Sequence, residues 1–137
     1  MTGISKEVQA HLIQMATKAR EHAYAPYSHY KVGAAVLLPD GSIQSGCNVE
    51  NASYGLTICA ERVAYSAAVA RGIRDFVAIA VVTSSDEVVA PCGACRQFMA
   101  EFNGEIPVIM TNLKGEIKVM SLGELLPMQF TNLSLRT

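Results

Sequence analysis

The sequence predicts an α/β domain of three layers, α/β/α, on a mixed five-stranded sheet whose last two strands form an antiparallel hairpin. Three observations carry this. Phe76 to Thr83 (FVAIAVVT) is an almost uninterrupted run of β-favouring apolar residues, the pattern of a strand covered on both faces. Asn112-Leu113-Lys114-Gly115 separates two short strand-like segments and leaves no room for a crossover helix, so that pair must run antiparallel. Before it, helical and strand-like stretches alternate, which puts helices on both faces of the sheet. The 137 residues are enough for one domain, 1–137, around a single core; half of them are apolar and there is no Trp, as suits a core of small side chains.

In chain order, residues 4–23 read as an amphipathic helix, because Ile4, Val8, Leu12, Met15 and Ala19 recur at three- and four-residue steps between charged and polar residues. Ala25-Pro26-Tyr27-Ser28 ends it, since the residue before a proline is pushed out of the helical region. Lys31 to Leu38 (KVGAAVLL) is a buried strand, and Pro39-Asp40-Gly41-Ser42 turns it into an antiparallel partner, Ile43 to Asn48. Gly33, Ala34 and Ala35 leave room for a helix or a ligand to approach the sheet closely. A polar stretch, Asn48 to Gly55, leads to a helix from about Cys59 to Ala70, with Val63, Ala67 and Ala70 on its core side and Gly72 as its stop. After the strand at Phe76 to Thr83 and a loop rich in Ser and acidic residues, a further helix covers roughly Gly93 to Phe102. Pro107 to Thr111 and Glu116 to Met120 are the hairpin strands, and Ser121 caps a short final helix with Glu124 at its third position, before Pro127.

Two stretches carry chemistry: Cys59-Ala60-Glu61-Arg62 and Pro91-Cys92-Gly93-Ala94-Cys95-Arg96. Each reads as the first turn of a helix entered from a loop. Adjacent helices with aligned N-termini would bring Cys59, Cys92 and Cys95 around one zinc, and three protein ligands leave the fourth position open, as a catalytic zinc requires. Positions i and i+2 of a helix point to different sides. Glu61 therefore reaches past Cys59, as a proton shuttle, only if Cys59 sits at the extreme start of its helix; otherwise it is a first-turn acid complementing the helix dipole. Arg62, and less so Arg96, can offset the thiolate charge by donating to sulfur. Two rival readings stand beside this one. A structural zinc would need Cys47 as fourth ligand, although Cys47 lies in a strand, where a small buried residue is the commoner role. Cys92-Gly93-Ala94-Cys95 also has the form of a thiol redox module. His11, His22 and His29 lack a second ligand at helical spacing and read as solvated.

These motifs are similar to the signature of the zinc nucleoside and nucleobase deaminases, C-A-E followed by P-C-x-x-C. Further blocks resemble the small homotetrameric cytidine deaminases within the cytidine and deoxycytidylate deaminase superfamily: Tyr24 to Ser28, Lys31 to Ala35, Gly46 to Ala52, Pro91 to Gln97 and Glu124 to Pro127. The resemblance implies one zinc per chain on Cys59, Cys92 and Cys95, with Glu61 moving protons while water replaces the amine at C4 of cytidine or deoxycytidine. It implies Asn48 and Glu50 on the ribose, although the same pair could close the loop in an Asx-type turn. It puts Ala60 and Tyr30 beside the pyrimidine, with Tyr30 where the family has Phe and therefore carrying a hydroxyl that needs a polar partner. Tyr54 and Phe130 match aromatics that the family lends to a neighbouring subunit of a homotetramer. The implied role is pyrimidine salvage, and a blasticidin-type nucleoside is the alternative substrate.

Composition narrows the partners. The net charge of −1 and the lack of a Lys/Arg run speak against nucleic acid and against an anionic membrane surface. With no signal-like start, no apolar stretch of spanning length and four cysteines suited to metal or catalysis, the expected compartment is the cytoplasm.

Overall fold

A computed structural model describes residues 3–135. The elements are α1 (Lys6–Arg20), β1 (Gly33–Leu37), β2 (Ile43–Cys47), α2 (Ala60–Ala70), β3 (Ala78–Thr83), α3 (Gly93–Ala100), β4 (Pro107–Asn112), β5 (Ile117–Ser121) and α4 (Leu122–Leu125), in the predicted order. The five strands form one sheet in the order β2-β1-β3-β4-β5. Only β3 and β4 run parallel; β4 and β5 form the expected antiparallel hairpin.

The period of two along each strand sorts the core into two layers. Ala34 and Val36 of β1, Ile79 and Val81 of β3, and Val108 and Met110 of β4 pack with α2 and α3. Their alternates Ala35, Ala78, Ala80, Val82 and Ile109 pack with Leu12 and Ala16 of α1. All six residues of β3 are buried, as its unbroken apolar run requires.

Two helices depart from their expected limits or faces. The first is shorter than 4–23: the Ser5 side chain caps it by accepting from Val8 N–H, and it ends at Arg20 because the chain leaves to pair with the 48–50 segment. There Tyr24 N–H donates to Asn48 O and Glu50 N–H to Tyr24 O. In α2 the core face is not Val63, Ala67 and Ala70: Ala70 is exposed and the other two are half-buried, while Ala60, Glu61, Ala64, Tyr65 and Ala68 are buried. Almost every residue of this helix is apolar or small, so periodicity offers two phases, and the sheet selects the one with small residues inward. Gly46 of β2 lies directly beneath α2, where an added Cβ would come within 2.6 Å of Ala64 N and 2.8 Å of Ala60 O. Gly46→Ala will therefore push α2 off the sheet. The expected cost is about 1–3 kcal/mol, read as a fall of several degrees in the thermal midpoint, and an unchanged midpoint would contradict this packing.

The spacing of α2 and α3 is set by rings. Tyr65 stacks on Phe76 with centroids 4.2 Å apart and meets Phe98 edge-on at 6.3 Å. Phe102 closes the group, 5.8 Å from Tyr65 and 6.1 Å from Phe98. Because the two helices are wedged together by rigid side chains, their N-termini are held side by side.

One edge of the sheet collects the loops. Gly33 at the start of β1 pairs with Cys47 at the end of β2 and with Val82 near the end of β3. The segments before β1, after β2 and after β3 therefore meet at the same place, the edge where ligands are expected.

Candidate active site

Both thiol motifs open helices at that edge. Cys59 is the N-cap of α2, with extended backbone (φ −71°, ψ 155°), and Cys92 is the N-cap of α3 (φ −63°, ψ 164°). Cys95 follows in the first turn of α3, fully buried, and its N–H donates to Cys92 Sγ at 3.4 Å. The three sulfurs lie within 4.8 Å of one another, with Cys59 and Cys92 3.9 Å apart. Sulfurs each about 2.3 Å from one tetrahedral ion would stand just under ~4 Å apart, so the arrangement fits a zinc. The donor set is entirely soft sulfur, which favours zinc over magnesium or calcium.

The triad is electrostatically uneven. A hydrogen bond from Cys95, reinforced by Arg62, holds the Cys59 thiol well below its ordinary value, while the same contact and burial push Cys95 up. Arg62 donates through Nη2 to Cys59 Sγ at 3.5 Å and to Thr57 O at 3.4 Å, as expected of a cation offsetting thiolate charge. Arg96 does not share that role. Its Nη1 donates to Leu125 O at 2.8 Å and ties α3 to α4. Cys47 stays outside the triad.

With Cys59 as N-cap, Glu61 is the second residue of α2, and the geometric condition for it to reach past the thiol is met. Its side chain is only 4% exposed and lines the same cavity as Cys59 and Cys92. Burial pushes its carboxyl above the usual range, to about 7.

That cavity measures about 290 Å³, near the lower end of small-molecule sites. Cys59, Ala60, Glu61, Pro91 and Cys92 line it together with Tyr30, Asn48 and Glu50. Asn48 is buried, its Oδ1 accepting from Val32 N–H at 2.9 Å and its Nδ2 donating to Tyr30 O at 2.8 Å. Both contacts reach back to the segment before β1 instead of closing an Asx-type turn in its own loop, and one amide N–H remains to be used. Glu50 Oε1 accepts from the N–H groups of Tyr27 at 2.9 Å and Ser28 at 3.1 Å, and Oε2 from the Ser28 hydroxyl. The Ser28 hydroxyl is the main reason the Glu50 carboxyl is held below its usual value. The Tyr30 hydroxyl finds its polar partner in Ser85 Oγ, 2.5 Å away.

Sequence reasoning did not single out Ser28, Thr57, Thr83 or Ser85. Ser28 lies in the Tyr24 to Ser28 stretch that carries part of the resemblance, and the need of Tyr30 for a partner is the one signal toward Ser85. Tyr54 and Phe130 are brought to the surface, 74% and 59% exposed. Tyr54 shares a second hollow, beside the first, with Tyr27, Ser28, Glu50 and Thr57. The backbone of Phe130 is strapped to α3, where the Gln97 side chain donates to its carbonyl at 2.5 Å and accepts from its N–H at 3.4 Å. His11, His22 and His29 are all exposed.

The chain matches the family model of the cytidine and deoxycytidylate deaminase zinc-binding region over residues 6–111. It is 54% identical over 121 residues to a cytidine deaminase of Sporosarcina psychrophila, an alignment that covers 88% of this chain and 89% of the relative. The crystal structure of a cytidine deaminase from Burkholderia pseudomallei superposes with a TM-score of 0.87 at 51% identity, covering 93% of this chain and all of that one. More distantly, a blasticidin-S deaminase of Bacillus cereus is 32% identical over 128 residues, 88% of this chain and 90% of that protein.

Proposed function

The chain belongs to the cytidine and deoxycytidylate deaminase family, and on that footing we propose that it hydrolyses cytidine, and deoxycytidine, to the uracil nucleoside and ammonia. The observation that carries this reading is the shared cavity. Two thiols of the triad, Cys59 and Cys92, and the buried Glu61 carboxyl line it together with an amide and a carboxylate suited to sugar hydroxyls, and Cys95 completes the triad just behind it. The similarity at 54% to a cytidine deaminase outweighs that at 32% to a blasticidin-S deaminase. A third thiol beside the C-x-x-C pair, and a carboxyl next to it, have no use in a redox module.

Cys59, Cys92 and Cys95 would hold one zinc per chain. Bound there, zinc supplies a Lewis acid that makes water nucleophilic near neutral pH. The residues do the rest. Glu61 takes a proton from the attacking water and delivers it to N3 of the pyrimidine. Glu61 then takes the second proton, from the hydroxyl now on C4, and passes it to the amine as the C4–N bond breaks, so that a C4 carbonyl forms, ammonia leaves and the carboxylate is regenerated. Arg62 steadies the charge of Cys59 through its hydrogen bond to that sulfur. Ala60 and Tyr30, which both line the cavity, orient the base, and Asn48 and Glu50 orient the sugar. Glu50, already held as a carboxylate by Tyr27 and Ser28, accepts from a ribose hydroxyl. Glu50→Ala is expected to raise KM for nucleosides at least about tenfold, the loss of a charge-assisted hydrogen bond. An unchanged KM would remove Glu50 from the sugar contact.

Tyr54 and Phe130, exposed and presented outward, are the residues we assign to contacts between subunits of a homotetramer. The place proposed for the enzyme is pyrimidine salvage in the cytoplasm, as a single domain; reduced thiols in the triad suit that compartment. No helix among the described residues is long and apolar enough to cross a membrane, and the partner is the small-molecule nucleoside rather than nucleic acid. The direct test is to supply cytidine and follow the fall in ultraviolet absorbance together with ammonia release. No change in either overturns the assignment.

A further inference from the structure

We propose that Ser85 is a positioning residue for the reaction, acting through a hydroxyl clasp with Tyr30 that closes the aromatic wall of the nucleoside cavity; this rests on the nucleoside reading of that cavity. The two residues are 55 apart in sequence and lie on different loops. Tyr30 precedes β1 and Ser85 follows β3, and the register brings both loops to the same edge. The clasp therefore joins the loop carrying Ser28 and Tyr30 to the loop that continues through Pro91 to Cys92, both of which line the cavity.

Each end of the clasp is anchored up to the side chain in question. Ser85 N–H donates to Oγ1 of Thr83, a buried residue at the end of β3 that also lines the cavity, at 3.3 Å. The next residue, Asp86, accepts through its carbonyl from the buried Asn112 side chain at 3.1 Å. On the other loop, Tyr30 N–H donates to Ser28 Oγ at 3.0 Å and its carbonyl accepts from Asn48 Nδ2 at 2.8 Å. The residue before it, His29, takes a left-handed conformation (φ 58°) that sets the direction of the loop. With both backbones held, the remaining freedom is rotation of the Tyr30 side chain, which is 37% exposed and has no other hydrogen-bond tether. The Ser85 hydroxyl removes that freedom before substrate arrives. A wall ordered in advance spares the substrate the entropy of ordering it, so the effect falls on affinity and not on the chemical step. The Tyr30 hydroxyl, engaged with Ser85, is correspondingly not a group that reads the base.

The test is a double-mutant cycle on the zinc-loaded enzyme with cytidine as substrate, using Tyr30→Phe, Ser85→Ala, both together, and Ser85→Thr. Each single loss of the hydroxyl pair should raise KM roughly three- to tenfold, the size of one net hydrogen bond, with kcat within about twofold and thermal midpoints unchanged. The double variant should match the single ones instead of multiplying their effects. Ser85→Thr, which keeps a hydroxyl, should return KM toward the wild-type value. An unaltered KM in Ser85→Ala, multiplicative effects in the double variant, or a Thr variant no better than Ala would each overturn the clasp. A wild-type enzyme that leaves cytidine unchanged would instead overturn the nucleoside reading on which the clasp depends.

Discussion

Glu61→Gln will lower kcat by about 10²–10⁴-fold, the usual worth of a positioned general acid–base group, while zinc content and nucleoside affinity stay near wild type. The substitution preserves shape and removes only the capacity to take and return a proton. Glu61 is buried at the start of α2, with Ala60 on one side and Arg62 on the other, so an isosteric side chain has no reason to disturb the helix. A neutral amide is also easier to bury than a carboxylate, so folding should not suffer. Steady-state kinetics, metal analysis and equilibrium binding of the uracil nucleoside separate the two effects. Turnover close to wild type would dismiss Glu61 as the proton carrier and return it to the role of a first-turn acid.

Stripping the metal with a strong chelator is expected to abolish turnover, and zinc but not magnesium should restore it. The reason lies in the donors: three sulfurs and no oxygen, gathered within 4.8 Å at the joined N-termini of two helices. Without a cation the crowded sulfurs are held by hydrogen bonds, chiefly those of Cys95 and Arg62 to Cys59, so the ion should also stabilise the fold. The thermal midpoint should therefore fall on chelation and rise again with zinc. Cys95→Ala should reproduce the chelated state permanently, since Cys95 is the buried member of the triad. Full activity in metal-free protein would exclude the zinc mechanism.

The site was legible in sequence because its core is local. Two helix starts, each identified by a loop that feeds a thiol into a first turn, determine where Cys59, Glu61, Cys92 and Cys95 can point. The same holds for the capping box of Ser121 and Glu124, whose reciprocal hydrogen bonds are formed as the spacing requires. Arg62 was legible for the same reason, being one turn from Cys59.

What local pattern could not decide was anything that depends on which element lies opposite. The apolar residues of α2 allowed two faces, and the absence of a side chain at Gly46 selected the alanine face. Arg96, next to Cys95 and four residues after Cys92, also stands close to a thiol in sequence, yet α4 offers it the carbonyl of Leu125. Ser85 has no distinguishing neighbour in its own loop, and only the antiparallel pairing of β1 with β3 brings it to Tyr30. Sequence alone determined the order of elements and the two thiol motifs with their adjacent acid, because helix starts and turns are written in runs of a few residues, while the meeting of Cys59 with Cys92 is a long-range contact. Tertiary structure decided the face of α2, the partner of Arg96 and the wall of the cavity, because each is a contact between segments far apart in the chain, and no short-range periodicity encodes it.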